Sequence, residues 1–389
     1  MMSQSLSLRR RLLAAAVAAL ALIFAGSAVV AGPAQAKTSA KSMKASKSAL
    51  AGVDTGKYYV FRTRDTGAPA TNLQNTRCNR HFGWRALGTI TRLNALLFSY
   101  ESNAGTGRIE NQTKSLLGPG FLCAVPNLGK QDQLDAYAYS TLPGPGTVEA
   151  SGGCNAAPVV VDGVPFLLNC QMQVRPNAAG VTGGLITSNS LVNTLNRSDT
   201  APTGSVWTAH VTGTAPGPEA GTGITPPGIG QETPGLDFFT FRTRDEVVSA
   251  KSPECAKAGV TNEVAVRSAN LAVAEPDAVS GQVPEALGSP VGKLTVCYLY
   301  TSNEGYGVAT IATLKTSRGT FDIKARGECK SKPTPASSML LVQACSLPVG
   351  TGSTKGGLVT SNGLIEKGKP ASAANSAVWT YALFGAPAA

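Results

Sequence analysis

Five short blocks of this chain occur twice in the same order, and that duplication constrains the fold more than any single motif. Phe61-Arg62-Thr63-Arg64-Asp65 recurs unchanged as Phe241-Arg242-Thr243-Arg244-Asp245, each copy following an aromatic run, Tyr58-Tyr59-Val60 or Phe238-Phe239-Thr240. Tyr100-Glu101-Ser102-Asn103-Ala104-Gly105-Thr106-Gly107 pairs with Tyr300-Thr301-Ser302-Asn303-Glu304-Gly305-Tyr306-Gly307. The stretch 150–154 ending in Cys154 matches 325–329 ending in Cys329, and a second cysteine, Cys170 or Cys345, follows 16 positions later in both. Gly183-Gly184-Leu185-Ile186-Thr187-Ser188-Asn189 matches Gly356-Gly357-Leu358-Val359-Thr360-Ser361-Asn362, and Ser205-Val206-Trp207-Thr208 matches Ala377-Val378-Trp379-Thr380. One structural unit has been made twice.

Offsets between the copies are 180 at the first block, 200 at the second, 175 at the cysteine pair and 172 at the tryptophan. Taken at face value, they imply extra residues around Ser252–Val291 in the second copy and around Leu116–Gly146 in the first. Length variation of this kind is cheapest in surface loops. Between the copies, half of the 22 residues of Thr214–Gly235 are Pro or Gly, which marks a linker. Fully extended it spans roughly 70 Å at ~3.1 Å per residue, so the two domains need not touch. The expected layout is repeat 1 over 58–213, linker over 214–235 and repeat 2 over 236–389, each repeat about 155 residues and large enough for its own core.

Short runs rich in aromatic and β-branched residues, broken by Gly, Pro and Asn, predict strands. They are Tyr58–Arg64, Leu96–Tyr100, Val164–Val174, Leu185–Thr187 and Val206–Val211, then Phe238–Arg244, Leu294–Tyr300, Met339–Ala344 and Val378–Phe384. Asn262–Ala274 is the one segment with a helical reading. The expected fold class is all-β: two tandem homologous, disulfide-stapled domains of β-sandwich or jelly-roll type after an N-terminal signal peptide.

The signal peptide is expected over 1–36. Arg9-Arg10-Arg11 precede an apolar run from Leu12 to about Ala31, and Ala34-Gln35-Ala36 supplies the small residues of a cleavage site. An uncleaved span is the alternative, but lysines 37, 41, 44 and 47 just beyond disfavour it, so no stable membrane span is expected after cleavage. Residues 37–57, rich in Lys, Ser and Ala, read as a flexible tail. The chain's formal net charge is +11, but the signal and tail hold most of the excess. Without aromatic residues interleaved in that tail, specific nucleic-acid binding is not expected. A loose attraction to an anionic surface is the functional alternative to a plain spacer.

All eight cysteines lie beyond the signal and none forms a C-x-x-C pair; with only His81 and His210 present, a zinc or iron–sulfur site has little support. Disulfides in an oxidising compartment are the default, implying a secreted, periplasmic or cell-surface protein. Equal spacing pairs Cys154 with Cys170 and Cys329 with Cys345, and elimination pairs Cys78 with Cys123 and Cys255 with Cys297.

Strand alternation puts Arg62 and Arg64 on one face, and likewise Arg242 and Arg244, forming a fork able to grip carboxylate, sulfate or phosphate. The structural alternative, which is the simpler one, is arginines guarding an edge strand or bridging acids. The Ser-Asn-x-Gly-x-Gly block reads as a hairpin turn, since the lysine and helix of a phosphate loop are missing. Trp207 and Trp379 read as core residues. Neither histidine is duplicated and no nucleophile elbow is present, so no catalytic residue, metal or cofactor is assigned. The leading expectation is a secreted, non-enzymatic tandem module. It would bind an anionic envelope polymer, a glycan or a protein, with duplication supplying avidity. A glycan hydrolase with paired carboxylates, or a structural or inhibitory protein acting through Leu116–Gly146 and Ser252–Val291, are the rivals.

Overall fold

Along strand β1 (Lys57–Asp65), Tyr59 and Phe61 belong to one apolar cluster while Tyr58 and Val60 belong to another. Successive side chains of a strand face opposite ways, so this strand is apolar on both faces and must be covered twice. Strand β9 (Leu236–Arg244) repeats the arrangement, with Phe239 and Phe241 in one cluster and Leu236 and Phe238 in the other. One face of each strand fills its own domain. The other covers the neighbouring repeat.

The computed structural model describes residues 55–87, 91–130, 133–157, 166–192, 205–213, 235–244, 247–301, 305–316, 319–334, 337–350, 352, 354–366 and 376–385. All of them lie within one compact unit, Leu50–Ala389. The signal segment, nearly all of the tail and the linker fall outside the described residues.

In repeat 1, β1 is followed by β2 (Thr91–Ser102), β3 (Ile109–Pro126), β4 (Gln133–Leu142), β5 (Gly146–Ala157), β6 (Phe166–Val174), β7 (Gly183–Val192) and β8 (Ser205–Thr212). Each strand pairs antiparallel with the next, and β8 returns to β1, closing a barrel of eight. Repeat 2 runs through β9, β10 (Val247–Ser249), β11 (Ala265–Val273), β12 (Pro290–Thr301), β13 (Gly305–Thr316), β14 (Gly319–Thr334), β15 (Ser337–Val349), β16 (Gly356–Glu366) and β17 (Ser376–Phe384). Here β9 pairs with β17 and, through Arg242 and Phe241, with β11, so eight strands again form a ring and β10 is an extra edge strand on β11. The sequential order differs from the crossing connections of a sandwich or jelly roll. Both architectures alternate inward and outward residues along each strand, so patterning alone does not separate them. The barrel interiors are packed with side chains: Tyr59, Phe61, Met172, Ile186 and Trp207 in the first, Phe239, Phe241, Tyr298, Trp379 and Tyr381 in the second.

Matching the rings strand for strand corrects the sequence-based alignment. Cys78, Cys123, Cys154 and Cys170 align with Cys255, Cys297, Cys329 and Cys345, and the disulfides are Cys78–Cys123, Cys154–Cys170, Cys255–Cys297 and Cys329–Cys345. The Tyr100–Gly107 block lies at the β2–β3 connection, whereas Tyr300–Gly307 spans the end of β12 and the start of β13, a different hairpin. Leu116–Gly146 is therefore made of barrel strands rather than an inserted loop. Ser252–Val291 contains β11, and so does Asn262–Ala274, where a helix was expected. Its alanines favour a helix in isolation, but eight residues of β11 find partners on β12, and tertiary pairing overrides propensity.

A helix missed by the periodicity, α1 (Asn72–Phe82), follows β1. Its N-terminus is a capping box: Gln74 N donates to Thr71 Oγ1 (3.3 Å) and Thr71 N donates to Gln74 Oε1 (2.7 Å). Cys78 and Phe82 bury against Phe121, Val125 and Tyr137 on the barrel's outer surface. The equivalent in repeat 2 is the single turn α2 (Pro253–Lys257), fixed by Cys255 to Cys297. Among the described residues no helix is long and apolar enough to cross a membrane.

The barrels meet about a local twofold axis. Asn189 Nδ2 donates to Leu358 O (2.9 Å), and Asn362 Nδ2 donates to Leu185 O (2.8 Å), so the two asparagines of the repeated Thr-Ser-Asn stretch exchange equivalent bonds. Val60 N donates to Gly281 O (3.0 Å) and Thr240 N donates to Gly107 O (3.1 Å); the bridges Tyr59–Gln282 and Arg108–Phe239 sit beside them. Each first strand thus takes part of its pairing from the other repeat's connection between second and third ring strands. Gly107 and Gly281 have φ of 72° and 70°, and a Cβ at either would fall 2.3 Å from Phe241 or 2.6 Å from Leu117. Only glycine meets both demands. Such an isologous contact is what twofold-related copies make.

Candidate functional site

The arginine block lies in this seam. Arg62 is 1 % exposed and Arg242 5 %. The Arg62 guanidinium lies 5.5 Å from the Phe238 ring and the Arg242 guanidinium 5.7 Å from the Tyr58 ring, a further pair of equivalent contacts. Arg242 Nη1 also donates to Pro284 O. Neither guanidinium is on a surface that a dissolved ligand reaches. Arg64 is half-buried at the end of β1, and the Arg244 side chain lies outside the described residues. Recurrence of the block therefore has an assembly role at Arg62 and Arg242: long side chains whose charge rests on aromatic faces across the contact.

His210 is fully buried on β8, its ring 4.7 Å from Tyr58 and its Nε2 2.6 Å from Thr55 O. Trp207 and Trp379 are core residues, and Trp207 Nε1 donates to Ser205 Oγ (3.2 Å).

An open cleft of about 340 Å³ lies between the repeats, lined by Ser151, Gln173 and Arg175 of repeat 1 and by Pro333, Thr334 and Val342 of repeat 2. Arg175 follows β6 and is exposed, but its guanidinium is held in place. Nε and Nη2 donate to Ser151 Oγ (3.3 and 3.2 Å), and Nη2 donates to His81 Nδ1 (2.8 Å). The same guanidinium sits 5.8 Å from the Tyr137 ring, on which His81 stacks at 5.0 Å. Because a guanidinium only donates, His81 accepts at Nδ1 and carries its proton on Nε2. Partial burial, then Arg175, then Arg85 hold the His81 pKa below the usual histidine value, with Asp135 opposing.

The neighbouring charges are paired off. Arg77 meets Glu149 (3.2 Å) and stacks over Tyr139 (4.9 Å), and Arg85 meets Asp135 (2.6 Å). Burial and Glu149 push the Tyr137 pKa up to about 12, so its phenol stays neutral. Among the described residues, Arg175 is fixed by neutral partners and has no carboxylate at ion-pair distance. An ordered cation whose neighbouring carboxylates, Glu149 and Asp135, are held by other arginines suits an incoming carboxylate, sulfate or phosphate. Sequence reasoning missed this site because Arg175 and His81 are absent from the repeated blocks, being particular to repeat 1.

No protein-family model matches the chain, and no curated protein matches it.

Proposed function

We propose that the protein is a non-catalytic binding protein of an oxidising, extracytoplasmic compartment. It takes an acidic group of a glycan or envelope polymer in the cleft beside Arg175. The observation that carries this reading is the guanidinium held by Ser151, His81 and the Tyr137 ring at the mouth of an open cleft between the repeats. The four disulfides are consistent with such a compartment. Filled barrel interiors direct attention to the outer surface rather than to a lumen. The hydrolase alternative draws less support, since Glu149 and Asp135 beside the site are engaged by arginines. With both repeats in one unit, binding elements keep fixed spacing instead of being tethered at variable distance.

Calorimetric titration of the mature chain with oligosaccharides carrying uronate or sulfate, against their neutral counterparts, tests this. Acidic oligosaccharides should bind, Arg175→Ala should weaken binding by about tenfold or more, and Arg175→Lys should restore part of it, since a charged hydrogen bond contributes ~1.5–3 kcal/mol. Equal affinity of wild type and Arg175→Ala would defeat the proposal.

A further inference from the structure

Equivalent positions across the seam are complementary between the repeats and not within either one. Tyr100 on β2 and Ala274 just after β11 occupy the same place in their rings, and the Tyr100 hydroxyl donates to Ala274 O at 3.1 Å while also meeting Thr240 Oγ1 at 2.8 Å. A residue touching its own equivalent stands at the local axis, so one large side chain there is matched by one small one. Arg108 makes two hydrogen bonds to Asp237 Oδ1, from Nε at 2.8 Å and Nη2 at 2.6 Å. The residue equivalent to Asp237 is Lys57, and the residue equivalent to Arg108 is Gln282.

We propose that this seam is a selective pairing surface that accepts the other repeat and rejects a second copy of itself. Two copies of repeat 1 in the same twofold arrangement would drive Tyr100 against Tyr100 and bring Arg108 against Lys57. Two copies of repeat 2 would set Ala274 against Ala274, leaving a void, and would place Gln282 where Asp237 needs a cation. Overpacking, a cavity and like charges each oppose the wrong pair. A closed isologous contact ordinarily invites homodimers; divergence of the two halves has turned it into an exclusive one.

The test uses the whole chain with a protease site introduced between residues 214 and 234, cut after folding. Native mass spectrometry and size exclusion at micromolar concentration should find the fragments as one-to-one pairs of unlike halves, with the mass of the intact protein. Fragments that separate, or like pairs appearing in statistical proportion, would overturn the proposal. In the cut protein, Arg108→Glu should weaken the pair by about tenfold or more, and adding Asp237→Lys should recover most of that loss. If the double change recovers nothing while both variants keep the wild-type circular dichroism before cutting, charge selection at this pair is refuted.

Discussion

Tyr100 and Ala274 hold the same position in two copies of one fold, yet the first reaches across the seam to bond the backbone of the second at 3.1 Å. Tyr100 is fully buried, and burial raises its pKa far above that of an exposed tyrosine, so the hydroxyl stays protonated and able to donate. Tyr100→Phe should lose about 1–2 kcal/mol, because Ala274 O and Thr240 Oγ1 lose a partner, while Tyr100→Ala should lose about 3–5 kcal/mol through the added cavity. Urea unfolding of the two variants against wild type checks both the order and the gap.

Asn189 and Asn362 should behave as a matched pair. Replacing either with Ala leaves a buried carbonyl, Leu358 O or Leu185 O, without its side-chain donor. About 1–3 kcal/mol of stability should go in each case. Similar midpoint shifts for the two variants are expected; one costly and one neutral substitution would contradict the twofold relationship.

His81 predicts a pH effect with a definite sign. Its pKa is lowered in the folded state, so the unfolded chain binds the extra proton first as pH falls. Its contribution is therefore intact above the ordinary histidine value near 6.5 and is lost as pH drops from there through the lowered folded value. His81→Asn keeps an acceptor for Arg175 and cannot titrate in this range. Unfolding midpoints measured from pH 7.5 to 5 should fall less steeply for the variant than for wild type.

The disulfides should rank by the loop they close. Cys78–Cys123 spans 45 positions and Cys154–Cys170 only 16. Chain-entropy reasoning gives about 4 and about 3 kcal/mol respectively. Paired Cys→Ser substitutions followed by thermal melts should show the larger drop for the longer loop.

Duplication, all-β character and the pairing of cysteines were legible because they depend on spacing and composition. Register between the repeats was not fully so. The Ser-Asn-x-Gly-x-Gly block misled because it is turn chemistry, in which Asn103 Oδ1 accepts from Gly105 N and Gly107 takes positive φ; connections between paired strands select such residues, so the match marks two different strand connections, β2–β3 and β12–β13. The cysteines are the better guide, since all four of one repeat recur at nearly constant offset in the other. The seam was hidden for another reason. A strand apolar on both faces, such as Tyr58 to Phe61, reads the same whether its outer face meets solvent-excluded loops or a second barrel. The arginines sharpened the illusion: Arg62 and Arg242 look like surface charges until the aromatic rings covering them are seen.

The bonds from Val60 to Gly281 and from Thr240 to Gly107 impose a timetable. A chain made from its N-terminus completes β1 some 220 residues before the segment that covers its edge exists. At ~5–20 residues per second that interval is roughly 10–45 s. The barrel itself closes only once β8 ends at Thr212. For the last ~70 of those residues, roughly 3–14 s at that rate, it carries an uncovered edge and an apolar outer wall, the condition under which strands recruit the wrong neighbour. Maturation of the N-terminal half thus waits on the C-terminal half, and truncation after residue 213 would leave a barrel that never receives its last pairing.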